Sequence, residues 1–135
     1  TFSVYVTMLS VDQRAIKNVA QVLEKLGPQN KLNALHYLKN VSTLTDPNLQ
    51  ELVINSGLLQ ILVRELSIVL KQKEVSDPDK IPCKSCVHIL NALFMLCCYN
   101  IQRKETIAKE GAIALLKDIV LADLPMKNIA IDLLL

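Results

Sequence analysis

Three observations predict an all-α fold made of tandem helical repeats. The hydrophobic fraction is 51%, the aromatic fraction only 4%, and the 135 residues include three Gly and five Pro. This composition favours helices and lacks the turn-rich character of a small all-β domain. Apolar residues recur at helical spacing between well-marked breaks. Two stretches of the chain also resemble each other, which is typical of repeat architectures.

The breaks divide the chain into short helices. Gly27-Pro28 and Leu124-Pro125 each interrupt the apolar pattern, and Asp46-Pro47-Asn48 starts a helix with a capping residue before an early proline. Gly57 and Gly111 each separate a pair of short helices. We predict helices at about residues 12–26, 29–44, 48–56, 58–72, 83–99, 101–110, 112–122 and 126–135.

Two segments of the chain fit no helix. The polar segment 71–82 contains two prolines, and we predict that it is a loop too polar to pack. Residues 1–11 are apolar and β-branched and receive no assignment.

The self-similarity is centred on Gly57 and Gly111. Aliphatic residues occupy matching positions around the two glycines, and the preceding helices match as well. The first set pairs Val53, Leu59, Leu62 and Leu66 with Ile107, Ile113, Leu116 and Val120, and the second pairs Leu35, Leu38 and Val41 with Leu90, Leu93 and Leu96. The period is about 54–55 residues, longer than the ~40–47 of armadillo and HEAT units. The polar segment 71–82 accounts for the excess.

These residues resemble the armadillo-repeat family. The segment 106–116 (TIAKEGAIALL) is similar to the armadillo consensus, in which a short first helix ends on a glycine that opens the second. The segment 52–62 is a looser match, and 34–41 (ALHYLKNV) resembles the third helix of a unit, where an apolar ladder precedes an Asn. The resemblance covers residues 12–135. It implies a right-handed α-solenoid in a single segment, cut from a longer array, with approximate units 12–44, 48–99 and 101–135.

Stacking of such units has a simple physical basis. A short helix group cannot bury its apolar face alone, so neighbouring units stack into a continuous core. Glycine permits the sharp change of direction between helices because it has no Cβ. In the armadillo family the third helices line a concave groove, so we expect the binding surface on those helices.

Two polar stripes are the candidate groove. Their members are spaced i, i+4, i+7 and i+11 on one helix face, opposite the leucine ladder. Carboxamides both donate and accept hydrogen bonds, which suits the backbone amides of a bound peptide. The alternative is that the stripes are solvated helix faces and that the two histidines are partly exposed helix residues. The groove candidates are Asn33, His36 and Asn40, with Gln29 in the same stripe, and Lys84, His88, Asn91 and Met95.

The cysteines are the one group with metal-ligand chemistry. Cys83 and Cys86 begin the predicted helix that carries Cys97 and Cys98 about three turns later. The two pairs are then roughly 16–20 Å apart at 1.5 Å rise per residue, too far for one tetrahedral zinc ion. We therefore expect structural cysteines in a reducing compartment, and no metal or cofactor. A zinc- or thiol-active module stays the third hypothesis.

Other functional classes find little support in the sequence. The net charge of +2 is scattered, which gives no reason to expect nucleic acid or a membrane surface, and no apolar run approaches the ~18–20 residues of a membrane span. No nucleophile, phosphate-loop, metalloprotease or paired-carboxylate motif is present, so we expect neither catalysis nor a small-molecule substrate. The absence of Trp and of an acidic stripe argues against recognition of nuclear import signals, which armadillo import adaptors bind with a Trp–Asn array.

The sequence thus favours a non-catalytic scaffold or adaptor that binds a protein partner along the groove. The alternative is a regulatory or docking region of a larger enzyme, as in kinase- or formin-associated helical repeats, or an armadillo-type co-chaperone exchange factor. We expect the cytoplasm as its location, with the nucleus as a further possibility.

Overall fold

The computed structural model describes residues 18, 19, 21–43, 50, 51 and 54–135. Within these residues every regular element is helical and no strand occurs, which confirms the all-α prediction. None of the described helices has the length and apolar character needed to cross a membrane. The α-helices with defined bounds are α1 (Pro28–Ser42), α2 (Leu58–Leu70), α3 (Ile81–Cys97), α4 (Ile101–Lys109), α5 (Ala112–Leu121) and α6 (Lys127–Leu134).

The predicted helix bounds agree with these to about two residues. The main difference is α3, which begins at Ile81 instead of residue 83 and takes Pro82 into its first turn. Proline is tolerated there because the first helical N–H groups have no partner within the helix, and Pro28 begins α1 in the same way. Proline therefore opens these helices, where the prediction had treated it as a break.

Two predicted helices are described in part. The first, 12–26, is helical at residues 18, 19, 21 and 22 and ends in a 3-10 turn, Leu23–Lys25. The third, 48–56, is helical at residues 50, 51, 54 and 55. The remaining parts of both helices, the unassigned residues 1–11 and the capping sequence Asp46-Pro47-Asn48 lie outside the described residues.

The helices share one continuous apolar core. Helix α3 lies between α1 and α6 and contacts both, while α2 contacts α3, α4 and α5, and α5 packs on α6. The predicted ladders on α1 and α3 are all buried, as expected for residues that remove apolar area from water. They are Leu35, Leu38 and Val41 on α1, and Leu90, Leu93 and Leu96 on α3.

The two glycines adopt the same backbone turn. Gly57 has φ of 81° and Gly111 has φ of 92°, and each immediately precedes a helix, α2 or α5. The N–H of Gly57 donates to Ile54 O at 3.1 Å, and that of Gly111 donates to Ala108 O at 3.0 Å. A residue with a Cβ is strained in this left-handed region. The sequence match around the glycines therefore corresponds to a shared geometry.

The segment between α2 and α3 packs more than predicted. It contains a 3-10 turn, Lys73–Ser76, which contacts α3, and Val75 in that turn is buried. The prediction that residues 71–82 are too polar to pack was wrong at this point. One apolar side chain among polar neighbours is enough to anchor the segment because its burial removes that side chain from water.

Candidate functional site

Helices α1 and α3 run side by side in the same direction. The residues near their beginnings line one partly open pocket of about 110 Å³, with Pro28 and Lys31 from α1, and Ile81 and Ser85 from α3. The end of α2 lines this pocket with Val69. The beginnings of the two helices therefore lie next to each other, and each turn of α1 lies beside the corresponding turn of α3.

The seven predicted groove residues lie on the outer side of this helix pair. We call them the polar face. His36, Asn40, Lys84 and Met95 are exposed, and the others are half-buried: Asn33, His88 and Asn91. The polar face is thus accessible to solvent, but three of its side chains are less exposed than those of a fully solvated helix face would be.

The two stripes meet at a histidine pair. The rings of His36 on α1 and His88 on α3 stack with centroids 5.0 Å apart and an interplanar angle of 30°. The sequence predicted two parallel stripes but not this contact, because ring orientation depends on how closely the helices pack.

His88 is held neutral by its surroundings. Burial lowers its pKa from the ordinary 6.5 to about 4, and the nearby His36 and Lys39 add to this effect. Its Nδ1 is buried and has no hydrogen-bond partner among the described residues. A neutral imidazole has one donor and one acceptor nitrogen. At neutral pH His88 therefore provides hydrogen-bonding capacity and no charge.

The carboxamides provide further hydrogen-bonding groups. Gln29 Nε2 donates to Asn33 Oδ1 at 3.3 Å, which orients the Asn33 side chain along α1. This bond occupies the Asn33 oxygen and does not involve its two N–H donors. Asn91 lies on α3 one turn after His88 and is half-buried. The arrangement can present amide donors and acceptors to an extended peptide.

Two further residues belong near this site and escaped the sequence analysis. Lys39 on α1 lies close enough to His88 to lower its pKa. Asn128 on α6 is exposed, and it falls in register with His88 because Met126, Ala130 and Leu133 are buried at the same spacing as Cys86, Leu90 and Leu93. That spacing is readable in the sequence.

A buried ion pair lies away from the polar face. Lys31 Nζ on α1 is 3.2 Å from Glu65 Oε2 on α2, with the Glu65 side chain only 3% exposed. The second carboxylate oxygen, Oε1, is buried without a hydrogen-bond partner among the described residues. Lys31 therefore directs its charge into the interior, where Glu65 neutralises it.

The cysteines have the character of core residues. Cys83, Cys86 and Cys97 are buried, and Cys98, just past the end of α3, is partly exposed. Burial raises the pKa of Cys86 to about 12 and that of Cys97 to about 11. Zinc ligation and nucleophilic chemistry need the thiolate, which these environments disfavour. In the described part of the chain no three His, Cys, Asp or Glu side chains gather where they could hold a metal ion.

Comparison with known proteins yields distant relatives. No family model matches the chain, and no solved structure matches it. The chain is 27% identical over 135 aligned positions to the cytokinesis protein sepH of Aspergillus niger and equally to that of Aspergillus terreus, covering 96% of this chain and 9% of each relative. The sepH protein of Emericella nidulans is 28% identical over 128 positions, covering 91% of this chain. The chain therefore spans less than a tenth of the length of the curated relatives it matches.

Proposed function

We propose that this chain is a non-catalytic docking segment of a larger protein, built as an armadillo-like α-solenoid, and that the polar face binds an extended segment of a protein partner. The larger protein would act in the cytoplasm in cell division, since the relatives are named cytokinesis proteins. The observation that carries the proposal is the parallel pair α1 and α3, joined at the His36–His88 stack and lined with carboxamides.

The chemistry of the polar face supports binding over catalysis. Its hydrogen-bonding groups are amides, imidazoles and the ammonium of Lys84, and neither α1 nor α3 contains a carboxylate that could act as a general base beside the histidines. An extended peptide exposes backbone N–H and C=O groups that need partners, and amide side chains supply both kinds. Because Asn33, His88 and Asn91 are only half-buried, their polar groups are accessible to such a chain.

Site-specific photocrosslinking tests the proposal. A photoreactive amino acid placed at Asn40 or His36 should crosslink to a partner protein in extract of the source cells. The same group at Gln102 or Lys109, which are exposed on α4, should give no such product. Mass spectrometry of the crosslinked peptide then identifies the bound segment.

Affinity measurements with that segment complete the test. His36→Ala and Asn40→Ala should each weaken binding by roughly 3- to 10-fold, the loss of about one hydrogen bond. Lys109→Ala serves as the matched control and should leave the affinity within twofold. Equal affinities for all the variants would reject the polar face as the binding surface.

A second candidate is regulation within the same polypeptide. The match of the whole chain to a small part of much longer relatives favours a segment that docks onto its own parent protein. In that case the crosslinked peptide would come from the parent sequence. This is the regulatory or docking region of a larger enzyme that the sequence left as an alternative.

A further inference from the structure

Acidic residues are missing from both helices that form the polar face. Helices α1 and α3 contain 15 and 17 residues and not one Asp or Glu. The chain has 13 acidic residues in all, so an even distribution would place about three in these helices. The carboxylates instead lie elsewhere in the sequence.

The lysines of the two helices have different roles. Lys31 is neutralised by Glu65 in the interior. Lys39 is half-buried and Lys84 is exposed, and neither takes part in an ion pair among the described residues. The charge of Lys39 reaches the centre of the polar face, where it opposes protonation of His88. Two positive charges therefore act on the polar face without a compensating carboxylate on the same helices.

Among the carboxylates on neighbouring elements, Asp77 lies close enough to the beginning of α3 to raise the pKa of Cys83, but it forms no ion pair with Lys84. Glu24, in the 3-10 turn before α1, pairs with Arg64 at 3.2 Å. Asp132 on α6 lines a surface depression with Phe94 and Cys98 at the end of α3, and Lys104 lines the same depression. Lys39 and Lys84 thus give the polar face two unpaired positive charges among the described residues, and a surface of one charge sign favours partners of the other.

We propose that the partner is an acidic protein segment in extended conformation, with carboxylates that approach Lys39 and Lys84 while its backbone meets Asn33 and Asn91. This inference rests on the proposed function, since it names the class of partner for the same face. Parallel helices pack 8–10 Å apart, about three residues of an extended chain, so a short segment crosses both helices. A helical partner fits less well, because its backbone groups are already paired internally.

Selection from a random 12-residue peptide library displayed on phage, with the intact chain immobilised, tests the inference. The enriched peptides should be rich in Asp and Glu. The affinity of the best synthetic peptide, measured by fluorescence anisotropy, should fall roughly tenfold in the Lys39→Glu/Lys84→Glu double variant. It should also fall as salt rises from 50 to 300 mM, and this dependence should largely disappear in the variant.

The matched control is Lys71→Glu/Lys117→Glu, which makes the same charge change at exposed lysines off the polar face. It should leave the affinity within about twofold, and circular dichroism should show both variants folded. Neutral or basic enriched peptides that are still lost in His36→Ala would overturn the acidic partner but keep the docking face. If every polar-face variant binds the peptides with unchanged affinity, or if the library yields no binders, both the acidic partner and the docking face are rejected. If a single-stranded oligonucleotide competes as well as the acidic peptide, the lysines bind nucleic acid and the acidic protein partner is rejected.

Discussion

The turns at Gly57 and Gly111 are two copies of one local structure in different surroundings. Both glycines have a left-handed backbone conformation, and both immediately precede a helix with matching aliphatic positions. After Gly57, Leu59 is 2% exposed in a helix that contacts α4 and α5. After Gly111, the matching Ile113 is 47% exposed and lines an open groove with Ile101 and Leu134. The two matching aliphatic side chains are therefore buried to very different extents.

A second pair of matching positions differs in chemistry. Lys31 and Glu65 form the buried ion pair of the first copy. The positions that match them in the second copy are Cys86 and Ile119, both fully buried. The comparison indicates that the repeat fixes backbone geometry, while the buried side chains vary as long as polar groups find partners.

Leu59→Ala against Ile113→Ala gives the largest contrast between the two copies. Loss of the buried Leu59 side chain should lower the free energy of unfolding by about 2–5 kcal/mol, because a cavity remains. Ile113→Ala should cost about 1 kcal/mol or less, since half of that side chain already meets water. Urea denaturation followed by circular dichroism measures both. Equal losses of unfolding free energy would show that Ile113 is covered in solution, and the two copies would then not differ in burial at this position.

Lys31→Met should destabilise the chain by about 3 kcal/mol. It leaves the Glu65 carboxylate buried without its cation, and the partial exposure of Lys31 places the effect at the low end for such pairs. The double variant Lys31→Met/Glu65→Met imitates the apolar second copy and should recover to within about 1 kcal/mol of the native chain or exceed it. If the double variant is no more stable than Lys31→Met alone, apolar side chains cannot replace the Lys31–Glu65 ion pair.

Gly57→Ala and Gly111→Ala should each cost about 1–2 kcal/mol, through backbone strain alone. A Cβ at Gly111 meets nothing within 4 Å, and one at Gly57 meets only Gln60 Oε1 at 4.0 Å. Gly27→Ala is the control: Gly27 has φ of −67° and the same open space, so the variant should lose less than about 1 kcal/mol, through the lower preference for Ala at the N-cap of α1. A Gly27 variant as unstable as the others would contradict the strain argument.

The pH dependence of His88 should give the smallest effect. Because folding lowers its pKa from 6.5 to about 4, the stability that the neutral ring contributes is complete above pH 6.5 and is lost as the pH falls toward 4. His88→Asn, which copies the matching Asn33, should reduce this loss between pH 6.5 and 4. NMR titration should place the native pKa near 4, and His36→Asn should raise it. A native pKa near 6.5 would contradict the partial burial of His88 in the stack.

Much of the helical fold could be predicted from residues close in sequence. Helix bounds, the glycine turns and the ladders from Leu35 to Val41 and from Leu90 to Leu96 follow from spacing and turn chemistry, which act over a few residues. The stripes of the polar face are also local, since they need only the helical period.

The remaining features depend on contacts between residues far apart in the chain. The stack of His36 on His88, the low pKa that it supports, the pairing of Lys31 with Glu65 and the burial of Val75 all arise where separate helices or turns meet. The sequence places each of these residues on a helix or in a connection. Which neighbour it meets, and whether water reaches it, follows from packing, because burial and charge interactions depend on distance in space and not along the chain.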